Sequence, residues 1–296
     1  METTEFVKYR RSLKRKNYSG HTIKSYMNIL GTFAQWLRVP LTETTRKEIG
    51  GYVDYLLRKR RTPKTITCHL QTIRLFFDYL INDEGMMLIN PVTKVSIRLP
   101  KPLPRHLKDD QVERLLGVIT DPRDRAMFML MLRCGLRVEE VSRLTVDVIE
   151  LSRRRLLIAR GKGGKDRIVY LSDDARSALE AYLAIRTSKA TRLFLVQKGS
   201  LRGTPLSVRG IQKRIEYYAK KSKVRVSCHQ LRHTMATQLL NADADLATIQ
   251  DLLGHSQITT TQRYCWVSNL KVQRDYYKAI EVVLQRTQSN GGYESE

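Results

Sequence analysis

Prolines punctuate the middle of this chain, at Asn90-Pro91 and again at Pro100, Pro102 and Pro104. Each ring fixes φ and removes a backbone donor, so neither a helix nor an internal strand can run through that stretch. The stretch is also basic, and it reads as a stiff, extended linker over residues 91–106. Two domains are therefore expected on either side, at 1–90 and at 107–286, with 287–296 as a disordered tail.

The first ninety residues carry apolar side chains at helical spacing. Ile23, Tyr26, Met27, Leu30, Phe33, Ala34 and Leu37 line one face of a helix behind a Ser19 N-cap. Similar patterns cover Glu5 to Leu13, Ile49 to Leu57 and Thr65 to Ile81, which makes four amphipathic helices and a helical domain. Beyond the linker, helices are expected at Asp110–Ile119, Arg123–Leu132, Val138–Leu144, Asp173–Ile185, Val208–Lys220, Gln230–Leu240, Leu246–Leu253 and Leu270–Leu284. Two β-prone runs, Arg155–Ala159 and Arg167–Leu171, flank the turn Arg160-Gly161-Lys162-Gly163-Gly164-Lys165-Asp166, the mark of a hairpin. The fold class is thus mainly α with a small β-hairpin, in two domains.

At 296 residues with 42% hydrophobic content, the chain can bury one or two real cores. Its 53 Lys and Arg against 29 Asp and Glu leave a net charge of +24, with +12 in residues 1–106 and +12 in 107–296. Two basic domains on a connector suit a polyphosphate, bound largely through counterion release, and nucleic acid is the leading partner. No stretch approaches the ~20 consecutive apolar residues of a membrane span. Met1 to Lys16 has no signal-peptide core either, which points to a cytoplasmic protein. Cys68, Cys134, Cys228 and Cys265 lie far apart and read as reduced thiols. Cys228 beside His229 lacks a second matching pair, so no metal site is expected.

Several short motifs remain. Gly135-Leu136-Arg137-Val138-Glu139-Glu140 comes first, then the glycine-rich turn. His229-Gln230-Leu231-Arg232 opens a helix, with imidazole and guanidinium three residues apart on one face. Leu252-Leu253-Gly254-His255 ends another helix at a glycine cap, and Thr261-Gln262-Arg263-Tyr264 follows. Singly each is weak, since a lone Arg is usually a solvated surface group and a lone Tyr is more often packing than nucleophile.

Taken in order, Arg, hairpin Lys, H-x-x-R, L-L-G-H and Tyr resemble the tyrosine recombinase family of phage integrases and Xer-type resolvases, over essentially the whole chain. The resemblance implies a helical core-binding domain, a basic linker and a catalytic domain using Arg137, Lys162, His229, Arg232, His255 and Tyr264. Glu140 matches the family's supporting carboxylate. Lys165 competes with Lys162, which matches the family's acid as the first Lys of the turn. The resemblance also implies double-stranded DNA with an inverted-repeat core site as partner, a homotetramer on two duplexes, no cofactor, and a 3′-phosphotyrosyl intermediate leading to a Holliday junction. By position in the core-binding domain, His21, Lys24, Lys64 and Arg74 are candidate DNA contacts. The chain departs from Xer-type chains at Cys265-Trp266-Val267, where Thr-His-Val is common, and at Glu139, where Ser is usual. These departures favour a mobile-element integrase or resolvase over a chromosome-dimer resolvase.

The chemistry supports such roles on its own terms. Charge gathers on the non-bridging oxygens of a phosphoryl transition state, and two planar guanidiniums answer it as no Lys can. A phenol titrates near ~10, so Tyr264 needs nearby positive charge or a base. Lys162 could protonate the departing 5′ oxygen. The turn lacks P-loop spacing, so ATP is not implied. Two other readings share part of this pattern: a DNA-relaxing topoisomerase of the same tyrosine chemistry, and a non-catalytic architectural DNA-binding protein. In a recombinase, Val272, Tyr276, Ile280, Val283 and Leu284 would form an apolar helix face able to dock on the chain's own core or on a neighbouring protomer.

Overall fold

The computed structural model describes residues 4–93, 97–98, 105–159, 166–254, 261–262, 274, 276–277 and 279–281. The chain divides into two units, Met1–Lys101 and Pro102–Glu296.

In the first unit, α1 (Thr4–Arg15), α2 (Gly20–Trp36), α3 (Arg46–Arg58) and α4 (Pro63–Asn82) pack around a shared core. Their starts are written in the sequence. The Ser19 hydroxyl accepts the Thr22 amide at 3.1 Å. At α3, the Lys47 amide donates to Thr45 while Glu48 reaches back to the Thr45 amide at 2.9 Å, a reciprocal cap. Thr62 caps α4, with Pro63 at the first helical position, where a missing donor costs nothing. The apolar faces meet at Leu30, Phe33, Ile49, Tyr52, Ile73 and Phe76, all buried. Phe33 sets its edge to Tyr52 at 5.0 Å. Each such side chain contributes roughly 1.5–3 kcal/mol by leaving water, which is what holds helices this short together.

The start of the proline stretch packs into this unit: Val92 is fully buried in its core, and the Asn90 side chain bonds both the Arg74 carbonyl and Asp78. Arg74 itself is half-buried, and its Nη2 donates to the Val92 carbonyl at 3.0 Å. His21, Lys24 and Lys64 are exposed.

The second unit is built around α6 (Pro122–Arg133), in which every residue from Ala126 to Leu132 is buried. Around it stand α5 (Asp109–Gly117), α7 (Val138–Arg143), α8 (Asp173–Ile185), α9 (Val208–Ser222), α10 (Cys228–Asn241) and α11 (Leu246–Leu253). The expected hairpin, β2 (Arg155–Ile158) and β3 (Arg167–Tyr170), is joined by a two-residue strand, β1 (Ile149–Glu150), in an antiparallel sheet of order β1-β2-β3. Alternation puts Leu156 and its partner Val169 into the core, while Leu157 and Ile168 face outward. Asp124 is fully buried, and accepts bonds from Arg123, Arg214 at 2.5 Å and Tyr218 at 3.1 Å. These bonds tie α6 to α9.

Among the described residues no helix is long and apolar enough to cross a membrane. Past α11, Arg274 pairs with Asp243 at 2.5 Å, and Tyr276 and Tyr277 are exposed. Val272, Val283 and Leu284 lie outside the described residues, as do 287–296.

Candidate active site

Gly135 takes a positive φ of 66° after the last turn of α6, a conformation available to glycine at little cost. A Cβ here would meet Leu253 at 3.0 Å and Met235 at 3.2 Å, so the chain can pass close to α10 and α11 only as Gly. That reversal delivers Arg137 to the N-cap of α7. One turn on, Glu140 folds back, accepting the Arg137 amide at 2.7 Å and its Nη1 at 2.8 Å.

The N-cap Ser227 starts α10, which places His229 in the first turn and Arg232 three residues later. His229 is exposed and sets its ring edge-on to His233, centroids 4.1 Å apart. Arg232 is only 1% exposed. Its guanidinium donates to the carbonyls of Gly135 and Leu253.

The third contributor is the end of α11. Gly254 closes it in the left-handed region, φ 60°. The last carbonyls of a helix lack partners within it, and they sit at the negative end of its dipole. Three guanidiniums occupy three successive carbonyls: Arg167 Nε on Leu252 at 2.9 Å, Arg232 on Leu253, and Arg137 Nη2 on Gly254 at 3.2 Å. Arg167, at the start of β3, also spans both oxygens of Glu140, Nη1 and Nη2 each at 2.8 Å. Burial alone would raise the Glu140 carboxyl, but the bonds and charges of Arg167 and Arg137 prevail and hold it down at about 2. Glu140 is therefore a permanent anion between two cations.

Of the residues named from the sequence, Arg137, Glu140 and Arg232 come together here, with His229 one turn before Arg232 on α10. Lys162, His255 and Tyr264 lie outside the described residues, although Thr261, three positions before Tyr264, is fully buried. Arg167 was missed by sequence reasoning. Its signal was a charge at a strand position in step with Val169 and Leu171, where the alternation calls for a core-facing residue. Cys228 is buried, which pushes its thiol up to about 12. No three His, Cys, Asp or Glu side chains gather as metal ligands among the described residues.

A helical, strongly basic chain whose second unit converges three arginines on one helix end has the cations that a phosphodiester calls for. The comparisons agree. Residues 105–270 match the phage integrase family, and residues 6–85 match its N-terminal SAM-like domain. Tyrosine recombinase XerC of Thermodesulfovibrio yellowstonii is 35% identical over 270 residues, covering 86% of this chain and 88% of that protein. Tyrosine recombinase XerD of Pseudomonas putida is 36% identical over 274 residues, covering 88% and 91%. The fold is similar to that of the Tn1549 transposon integrase, solved in complex with transposon right end DNA, with a TM-score of 0.76 at 20% identity over 94% of this chain and 98% of that one. The chain belongs to the phage integrase family and is a site-specific tyrosine recombinase, an enzyme that transfers DNA strands.

Proposed function

We propose that this recombinase cleaves duplex DNA by attack of the Tyr264 phenol oxygen on a backbone phosphorus, leaving a 3′-phosphotyrosyl bond and a free 5′ hydroxyl. His229 takes the phenol proton, and Lys162 gives a proton to the departing 5′ oxygen. Arg137 and Arg232 hold the non-bridging oxygens, with hydrogen bonds from His229 and His255. Attack by the 5′ hydroxyl of a partner strand then reverses the step, through a Holliday junction, with no energy cofactor because the phosphotyrosyl ester conserves the bond energy.

The observation that carries this reading is the convergence of Arg137 and Arg232 on neighbouring carbonyls, Gly254 and Leu253, directly before His255 in the chain. That convergence brings two guanidiniums to one stretch of backbone, and planar cations gathered in one place are what the charge of a phosphoryl transition state calls for. Loss of one such donor from a transition state costs ~10²–10³ in rate.

The DNA bound by the Tn1549 integrase supports DNA as the partner here. The inverted-repeat core site and the homotetramer on two duplexes rest on the motif resemblance alone. On this reading the reaction runs in the cytoplasm. The exposed His21, Lys24 and Lys64 contact DNA from the helical unit, while Arg74 serves chiefly to hold Val92. The domains are taken as 1–90 for core binding, 91–106 as linker and 107–286 for catalysis.

The test begins by trapping detergent-stable adducts in cells that express the protein and sequencing the attached DNA, which yields the site. On a nicked duplex carrying that site, Tyr264→Phe is expected to bind and form no adduct. Mass spectrometry that places the adduct on Tyr276, Tyr277 or another residue overturns the assignment. Lys162→Ala is expected to recover on DNA whose scissile 5′ oxygen is replaced by sulfur, which leaves without a proton; recovery of Lys165→Ala instead would transfer the role to Lys165.

A further inference from the structure

Arg167 belongs to no motif that marks the family resemblance, yet it touches two of the three parts that meet at the site. Its side chain is 9% exposed, as is that of Glu140. Two parallel bonds of 2.8 Å fix the carboxylate, and a third, from Nε, fixes the Leu252 carbonyl at 2.9 Å. Its stem lies so close to Gly254 that a Cβ there would meet Arg167 Cδ at 3.0 Å. Arg137 is held by two kinds of contact, and Arg167 stands behind both. Glu140, which grips the Arg137 amide and Nη1, is itself aimed by Arg167; the Gly254 carbonyl, which accepts Arg137 Nη2, ends the turn that Arg167 pins at Leu252. Arg167 also begins β3, five positions after Lys162 in the sequence.

The geometry points to Arg167 as a positioning residue for strand cleavage, which sets the Arg137 guanidinium and the end of α11 in one fixed relation without touching the phosphate. Only Arg can do this, since the three bonds need a planar fork plus a separate Nε donor. Stability alone does not explain it: buried ion pairs can often be exchanged for apolar residues of similar volume at little cost. An apolar pair could not aim a guanidinium.

This role rests on the assignment of Arg137 above. The test uses the full chain on two nicked duplexes carrying the recovered site, one with the natural scissile phosphate and one with a methylphosphonate, whose neutral centre needs less cationic help. Arg167→Ala is expected to bind normally and cleave the phosphate ~10- to 100-fold more slowly, since small misplacements of a reacting group carry such losses. Most of that loss is expected to vanish on the methylphosphonate, as for Arg137→Ala. If Arg167→Ala does not fold, Arg167→Lys, which keeps the charge without the fork, is read in the same way. Equal losses on both substrates, or no loss on phosphate, overturn the proposal. A wild-type protein that forms no adduct through Tyr264 fails the underlying site assignment instead.

Discussion

Replacing Glu140 with Gln keeps the shape of the side chain and removes the anion between Arg137 and Arg167. Two routes give the size of the effect. Held at about 2 instead of its ordinary 4.5, the carboxyl contributes about 3 kcal/mol at neutral pH, at ~1.36 kcal/mol per pH unit. Removing one partner of a buried pair, here one accepting bonds from two guanidiniums that are 9% and 21% exposed, costs roughly 3–5 kcal/mol. For a unit of this size that lowers the melting temperature by about 6–20 °C. Because the folded carboxyl titrates below the unfolded one, its contribution is fully present above about 4.5 and is lost as the pH falls towards about 2, with roughly half gone by pH 3. Urea unfolding of wild type and Glu140→Gln between pH 7 and pH 3 measures the difference directly. The gap between the two should narrow as the solution becomes acidic. A gap that stays at its neutral value down to pH 3, or a variant as stable as wild type at pH 7, would refute the reasoning.

Gly135→Ala puts a Cβ against Leu253 and Met235 at a positive φ, so thermal melting should report a loss of about 1–3 kcal/mol, accompanied by slower cleavage; unchanged stability would mean the two helices have room to part. Asp124→Ala leaves the buried Arg123 and the adjoining Arg214 without their carboxylate, and should cost roughly 3–5 kcal/mol in unfolding experiments; in the fraction that folds, the rate of adduct formation should match wild type. With a net charge of +24, affinity for duplex DNA should fall by roughly 10³ or more between 50 and 200 mM salt if about six or more phosphates are contacted, and a flat response in a binding titration would contradict a phosphate-led interface.

Much of the fold was legible because its causes are local. Apolar spacing gave α8 (Asp173–Ile185) and α11 (Leu246–Leu253) to the residue, and the capping group Ser19 acts within three positions of itself. A two-residue strand such as β1 has no period to read. The motif order named Arg137, Glu140 and Arg232, but the tertiary structure decided what surrounds them. Arg167 meets Glu140 across 27 positions, Arg232 meets the Gly135 carbonyl across 97, and Arg137 meets that of Gly254 across 117. Backbone carbonyls leave no trace in residue identity, so no pattern in the sequence could show that the end of α11 gathers three arginines. Burial completes the difference: a charged side chain reads as surface until packing removes its water, and only then must it find the partners that fix its place.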